Sequence, residues 1–150
     1  MTQPLPTKEP SASSILVIDD EPELRRIYVR ALRSEGYDVH EANNGHEASR
    51  FLDQRSFDLV ITDILMPDMD GFETINRIRQ AKLNMPVLVV SGVTKVFDLD
   101  YLTMSRRLGA TAALAKPVRV AELLEAVRNL LNSPPTDDGA VPKQVGASST

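Results

Sequence analysis

The chain has 150 residues, 42% of them hydrophobic and 25% charged, with a net charge of −4. This is about one domain of ordinary globular composition, and its acidic balance gives no electrostatic ground for binding nucleic acid or an anionic membrane surface. No apolar run is long enough to span a bilayer or to form a signal peptide's core, and without cysteine there is no disulfide or thiolate chemistry. These features suit a cytoplasmic protein.

Residues 1–13, MTQPLPTKEPSAS, are polar, Pro-rich and aperiodic, as expected of a disordered tail. Ile15–Ile18 is the first predicted strand. Pro22 suits a first helical position, and Leu24, Ile27, Ala31 and Leu32 form one stripe of a helix that Gly36 ends. Asp38–Ala42 is a second strand, and the turn Asn43-Asn44-Gly45 leads into a helix carrying Ala48, Phe51 and Leu52. Leu59–Thr62 is a third strand, followed by a helix with Phe72, Ile75 and Ile78 that ends near Asn84, before Pro86. Val87–Val90 is a fourth. Phe97, Tyr101, Met104 and Leu108 then fall at i, i+4, i+7 and i+11 of a fourth helix, closed by Gly109. Ala112–Ala115 is the fifth strand, and Val120, Leu123, Leu124, Val127 and Leu131 mark the last helix. Residues 132–150 return to a tail-like composition, so the folded unit is expected over residues 14–131. Leu99, Leu102 and Leu130 could form an exposed apolar patch or pack inward.

The pattern is (βα)5, and four of its strands are nearly continuous apolar runs, as expected when helices cover both faces of a parallel sheet. In such doubly wound sheets ligands bind beyond the carboxyl ends of the strands. Asp19-Asp20 follows the first strand, Asp63 the third, Ser91 the fourth and Lys116 the fifth. Two unit charges about 4 Å apart repel by roughly 4 kcal/mol at an effective dielectric of 20, so three carboxylates at one edge need a cation. Oxygen donors alone favour Mg2+ over zinc, and with only His40 and His46 in the chain a zinc site is improbable. A carboxylate can also act as a nucleophile and form an acyl phosphate, with Lys116 and the Ser91 hydroxyl holding the phosphoryl oxygens.

Two local motifs do not fit. In Asp68-Met69-Asp70-Gly71 the aspartates resemble the nucleophile motif of haloacid-dehalogenase-type phosphatases, but Pro67 separates them from the strand and Asp19-Asp20 would go unexplained. Read as an EF-hand loop, the same stretch puts Met66 and Arg77 at ligand positions. Pro67 and Gly71 instead suit a tight turn into the third helix.

ILVIDDEP, LVITDILMPDMDG, VLVVSG and GATAALAKP, in this order and spacing over about Ile15 to Leu131, resemble a response-regulator receiver domain of two-component signalling. The resemblance implies a flavodoxin-like five-stranded parallel sheet of order 2-1-3-4-5. It implies that Asp63 is the phosphoacceptor and that Asp19, Asp20, Asp63 and the Leu65 backbone carbonyl hold Mg2+. Ser91 becomes the switch hydroxyl, Lys116 its counter-charge, and the peptide before Pro117 is cis. The chain departs from the family at Ala113, where an aromatic is usual, at Val118, where phenylalanine is common, and in a long segment between Ser91 and Gly109.

The implied role is a non-enzymatic signalling switch, phosphorylated by a histidine kinase and read by a protein partner on the face of the fourth helix, fifth strand and fifth helix. Residues after Leu131 carry no recognisable output domain, so a stand-alone domain is expected. A carrier in a phosphorelay to a histidine phosphotransfer protein is the alternative, with a phosphorylation-independent binding module behind it.

Overall fold

The computed structural model describes residues 13–63, 71–81, 85–92, 95–96, 99–100, 107 and 109–132. The expected tails (except Ser13 and Asn132), Leu65, Pro67, Asp68 and Asp70, and Phe97, Tyr101, Leu102, Met104 and Leu108 therefore lie outside the described residues. In chain order the elements are β1 (Ser14–Ile18), α1 (Pro22–Ser34), β2 (Asp38–Ala42), α2 (Gly45–Gln54), β3 (Leu59–Thr62), α3 (Gly71–Ala81), β4 (Val87–Ser91), β5 (Lys95–Val96), β6 (Leu99–Asp100), β7 (Ala112–Ala115) and α4 (Val120–Asn132).

β2, β1, β3, β4 and β7 form one parallel sheet in that order. Leaving the short β5–β6 pair aside, this is the expected order 2-1-3-4-5. Strand alternation sorts the core into two layers. Leu16, Ile18, Val60, Val87 and Val89 pack on one face with Ala48 of α2 and Ile75 and Ile78 of α3. Ile15, Val17, Leu59, Ile61, Leu88 and Val90 pack on the other with Tyr28, Val29 and Leu32 of α1 and Leu123 and Val127 of α4. Burial on both faces is why β1, β3 and β4 read as unbroken apolar runs.

Local chemistry ends and starts the helices. Gly36, at φ +95°, closes α1 while its N–H donates to the Arg33 carbonyl at 3.0 Å. Asn44 caps α2 by accepting from the Glu47 N–H at 2.9 Å, and the Glu47 carboxylate reaches back to the Asn43 N–H.

Three expectations are corrected: the inward placement of Ile27, the run of the fourth helix from Phe97 and the inward placement of Val120. Ile27 is 51% exposed, whereas Tyr28 and Val29 are buried. Leu24, Tyr28 and Leu32, spaced by four, carry the inward face, and Ile27 lies about 100° away from it. The expected fourth helix is also interrupted, because Leu99–Asp100, within its span, is a strand. Leu99–Asp100 pairs antiparallel with Lys95–Val96, which sets Val96 opposite Leu99 and Lys95 opposite Asp100. Further on, Arg107 is helical. At the end of α4, Leu130 is partly buried against the core rather than standing in an open patch, while Val120, in the first turn, is 39% exposed.

At the amino edge of the sheet, Arg79 of α3 donates to the Gly109 carbonyl at 2.8 Å, the Met85 carbonyl at 2.6 Å and the Thr111 hydroxyl at 3.3 Å. The Thr111 hydroxyl in turn accepts from the Val87 N–H at 3.0 Å. Gly109 has φ +128°, and a Cβ there would lie 2.7 Å from the Arg79 Cγ. Burial lowers the Arg79 pKa from its ordinary value.

Candidate functional site

The sheet order makes β1, β3, β4 and β7 consecutive neighbours, so the residues that follow them converge. Backbone bonds carry the register to each one: the Asp19 N–H donates to Ala42 at 3.2 Å, Asp63 to Ile18 at 3.1 Å and Lys116 to Ser91 at 2.9 Å. Asp19, Asp63 and Ser91 are buried, and Asp20 and Lys116 are half-buried. The peptide between Lys116 and Pro117 is cis, as the resemblance implies.

The Lys116 ammonium is the hub. It lies 3.0 Å from Asp63 Oδ2, 3.2 Å from Asp19 Oδ2 and 3.3 Å from Glu21 Oε1. Burial disfavours its charge, but the carboxylates of Asp63 and Asp19 outweigh that and hold its pKa well above the ordinary lysine value. Burial raises the Asp19 pKa. The Glu21 N–H, which donates to Asp19 Oδ1 at 2.9 Å, and the Lys116 charge oppose that rise, while the Asp63 charge adds to it.

Carboxylate oxygens of Asp19, Asp20 and Asp63 all lie within 4.8 Å of one another. Ligands on opposite sides of an octahedral Mg2+, at about 2.1 Å each, are separated by roughly 4.2 Å, so this cluster could hold a hard divalent cation after small movements. All three donors are oxygens, with no histidine or cysteine among them, which disfavours zinc.

Thus Asp19, Asp20, Asp63, Ser91 and Lys116 arrive at one edge. Leu65, expected to add a backbone carbonyl, lies outside the described residues. Two neighbours escaped the sequence reading. Glu21 resembles any acidic residue before a helix, yet its side chain joins Lys116. Arg25 looks like an ordinary surface residue of α1, but it donates to the Asp19 carbonyl at 2.5 Å and to Asn43 Oδ1 at 3.0 Å while pairing with Glu41 at 3.0 Å. Its position one turn into α1 lets it span the ends of β1 and β2. A basic residue one turn after an acidic strand end was the available signal.

A doubly wound sheet with an acidic cluster and a lysine at its carboxyl edge defines a class, and sequence comparison gives the class its family. A sequence model of the family described as "Response regulator receiver domain" matches residues 15–128. The chain belongs to this family, the receiver domains of two-component signal transduction. It is 36% identical over 118 residues to the transcriptional regulatory protein TrcR of Mycobacterium tuberculosis, covering 78% of this chain and 44% of that protein. Other curated relatives include further transcriptional regulators and a sensor histidine kinase, and the chain spans half or less of their length. A crystal structure of a CheY-like receiver domain protein from Methanospirillum hungatei superposes with a TM-score of 0.75 at 29% identity, over 81% of this chain and 95% of that one. The response regulator TrrA of Thermotoga maritima, crystallised in complex with Mg2+ and BeF, superposes with a TM-score of 0.71 at 33% identity, over 79% of this chain and 98% of that one. Among the described residues, no helix is long and apolar enough to cross a membrane.

Proposed function

We propose that the domain accepts a phosphoryl group on Asp63 from a histidine kinase, with Mg2+ bound, and passes the signal to a protein partner. The observation that carries this reading is the meeting of Asp63 with Lys116 at 3.0 Å beside two further aspartates. A lysine that neutralises a buried carboxylate is also placed to bind the phosphoryl oxygens that would replace that charge.

A carboxylate oxygen of Asp63 forms the new O–P bond as the donor's bond to phosphorus breaks, and the leaving group departs with the electron pair. Lys116 keeps its proton throughout and moves its hydrogen bonds from carboxylate to phosphoryl oxygen. The Ser91 hydroxyl, at the end of the neighbouring strand, donates to a second phosphoryl oxygen. Asp19, Asp20, Asp63 and the Leu65 carbonyl would hold Mg2+, which when bound supplies charge neutralisation for the transferred group. The TrrA structure with Mg2+ and BeF supports the same chemistry here.

Readout is where this chain differs. Ala113, partly buried against the α2–α3 core layer, has no aromatic ring to swing inward behind the Ser91 hydroxyl. Switching therefore runs through the segment after Ser91, which includes the β5–β6 pair, toward the proposed partner face of the expected fourth helix, β7 and α4. The small side chain at 113 also favours a second reading, a phosphorelay carrier that returns its group quickly to a histidine phosphotransfer protein and needs little conformational change.

Intact mass after incubation with Mg2+ and acetyl phosphate tests the acceptor. One added phosphoryl group on wild type and none on Asp63→Asn is expected. A wild type that stays unmodified with both acetyl phosphate and a cognate kinase favours a phosphorylation-independent binding module. Rapid back-transfer from the phosphorylated domain to a histidine protein separates relay from switch.

A further inference from the structure

Glu21 has no part in the chemistry described above. Its side chain is 61% exposed and sits at the rim of the site, with Oε1 3.3 Å from Lys116 Nζ. The Glu21 backbone N–H donates to Asp19 Oδ1 at 2.9 Å, which anchors its Cα beside the buried carboxylates. Within the pocket Lys116 also meets Asp19 and Asp63. The ammonium thus has three carboxylate partners, and two of them are already used in the proposed metal and acceptor roles. The third, Glu21, adds a negative charge at the solvent side of the group that must receive an anion.

We propose that Glu21 is a specificity-determining residue that screens the site against free, doubly negative phosphodonors and favours donors delivered by a docked protein. The proposal rests on Asp63 being the phosphoacceptor. A small phosphodonor in solution reaches Asp63 only by diffusing through the field at the rim, so a carboxylate there lowers its local concentration in proportion to the donor's charge. A phosphohistidine held on a bound kinase has its local concentration set by protein–protein contacts, and the rim charge matters less.

Donor charge makes this measurable. Acetyl phosphate at neutral pH is a dianion; its P–O bond to the acetyl group breaks as the Asp63 O–P bond forms, and acetate leaves with the electron pair. Phosphoramidate carries a proton on nitrogen and a net single negative charge; its P–N bond breaks and ammonia leaves. Removing one rim charge should help the dianion more than the monoanion.

The experiment measures initial rates of phosphorylation by intact mass for wild type, Glu21→Gln and, as a control, Glu125→Gln on the exposed face of α4, with saturating Mg2+ and subsaturating donor. Glu21→Gln is expected to speed acetyl phosphate by about threefold to tenfold at low ionic strength and phosphoramidate by less, with the gain shrinking as salt is added. Glu125→Gln is expected to match wild type. Equal acceleration with both donors, independent of salt, overturns the proposal and points to simple release of Lys116 from a competing carboxylate. An unchanged rate for Glu21→Gln with both donors overturns it too, while leaving the Asp63 assignment standing. A wild type that accepts phosphate from neither donor removes the basis of the proposal and refutes small-donor chemistry at Asp63.

Discussion

The two sides of the sheet's carboxyl edge are built differently. On one side, Ile15–Ile18 of β1 and Leu59–Thr62 of β3 have essentially no solvent exposure, and they fix Asp19 and Asp63 as the residues that follow them. On the other, β7 is Ala-Ala-Leu-Ala, none of it fully buried, and it pairs with β4 alone within the sheet. Between β4 and β7 the chain adds the β5–β6 pair. The first side has the rigidity that positioned carboxylates need. The second has small side chains and an added element, and it belongs to the face proposed above for readout by a partner. On that proposal, chemistry and readout would be separable in this domain.

The largest expected effect is on the chemical side. Asp63→Asn should abolish phosphoryl transfer while leaving the circular dichroism spectrum unchanged, because the sheet's burial does not depend on that charge. Any adduct on the variant would move the acceptor elsewhere. Asp20→Ala should weaken Mg2+ binding by tenfold or more, read by calorimetric titration; unchanged affinity would refute the metal site.

Away from the site, Gly109→Ala should destabilise the domain by about 2 kcal/mol in denaturant unfolding, since φ +128° and the contact with Arg79 both exclude a Cβ. Its Mg2+ affinity should be unaltered, which would show that the amino edge is energetically separate from the carboxyl edge.

The smallest effect concerns Asp19. Burial raises its pKa in the folded chain, so its charge opposes folding above that raised value. The penalty is relieved as pH falls through the folded pKa toward the unfolded value of 3.8. In the presence of chelator, Asp19→Asn should be slightly more stable than wild type at neutral pH, and the difference should vanish toward pH 4. A difference that grows on acidification would reverse the electrostatic reading.

Much of the chemical side was legible in the sequence because its causes are local. A strand buried on both faces shows as an apolar run, and the polar residue that ends the run marks the edge, so Asp19, Asp20, Asp63, Ser91 and Lys116 could be placed from pattern alone. What stayed hidden depends on long side chains and on near-equal choices. Glu21 and Lys116 are 95 residues apart, and no local period announces their contact. Ile27 and Tyr28 are both apolar neighbours on one helix, and only the packed position of α1 decides which turns inward. Phe97, Tyr101, Met104 and Leu108 satisfy a helical spacing, yet Leu99–Asp100 inside that span pairs with Lys95–Val96, a pairing that no local period announces.

The Arg79 clip has a mechanical consequence. One guanidinium ties the end of α3 to the start of β4 and the approach to β7 at the edge farthest from the carboxylates. That end of the last strand is pinned, like the hinge side of a door. Any displacement that begins at Lys116 must then appear as a swing whose arc grows toward the carboxyl end, where the strand gives way to α4.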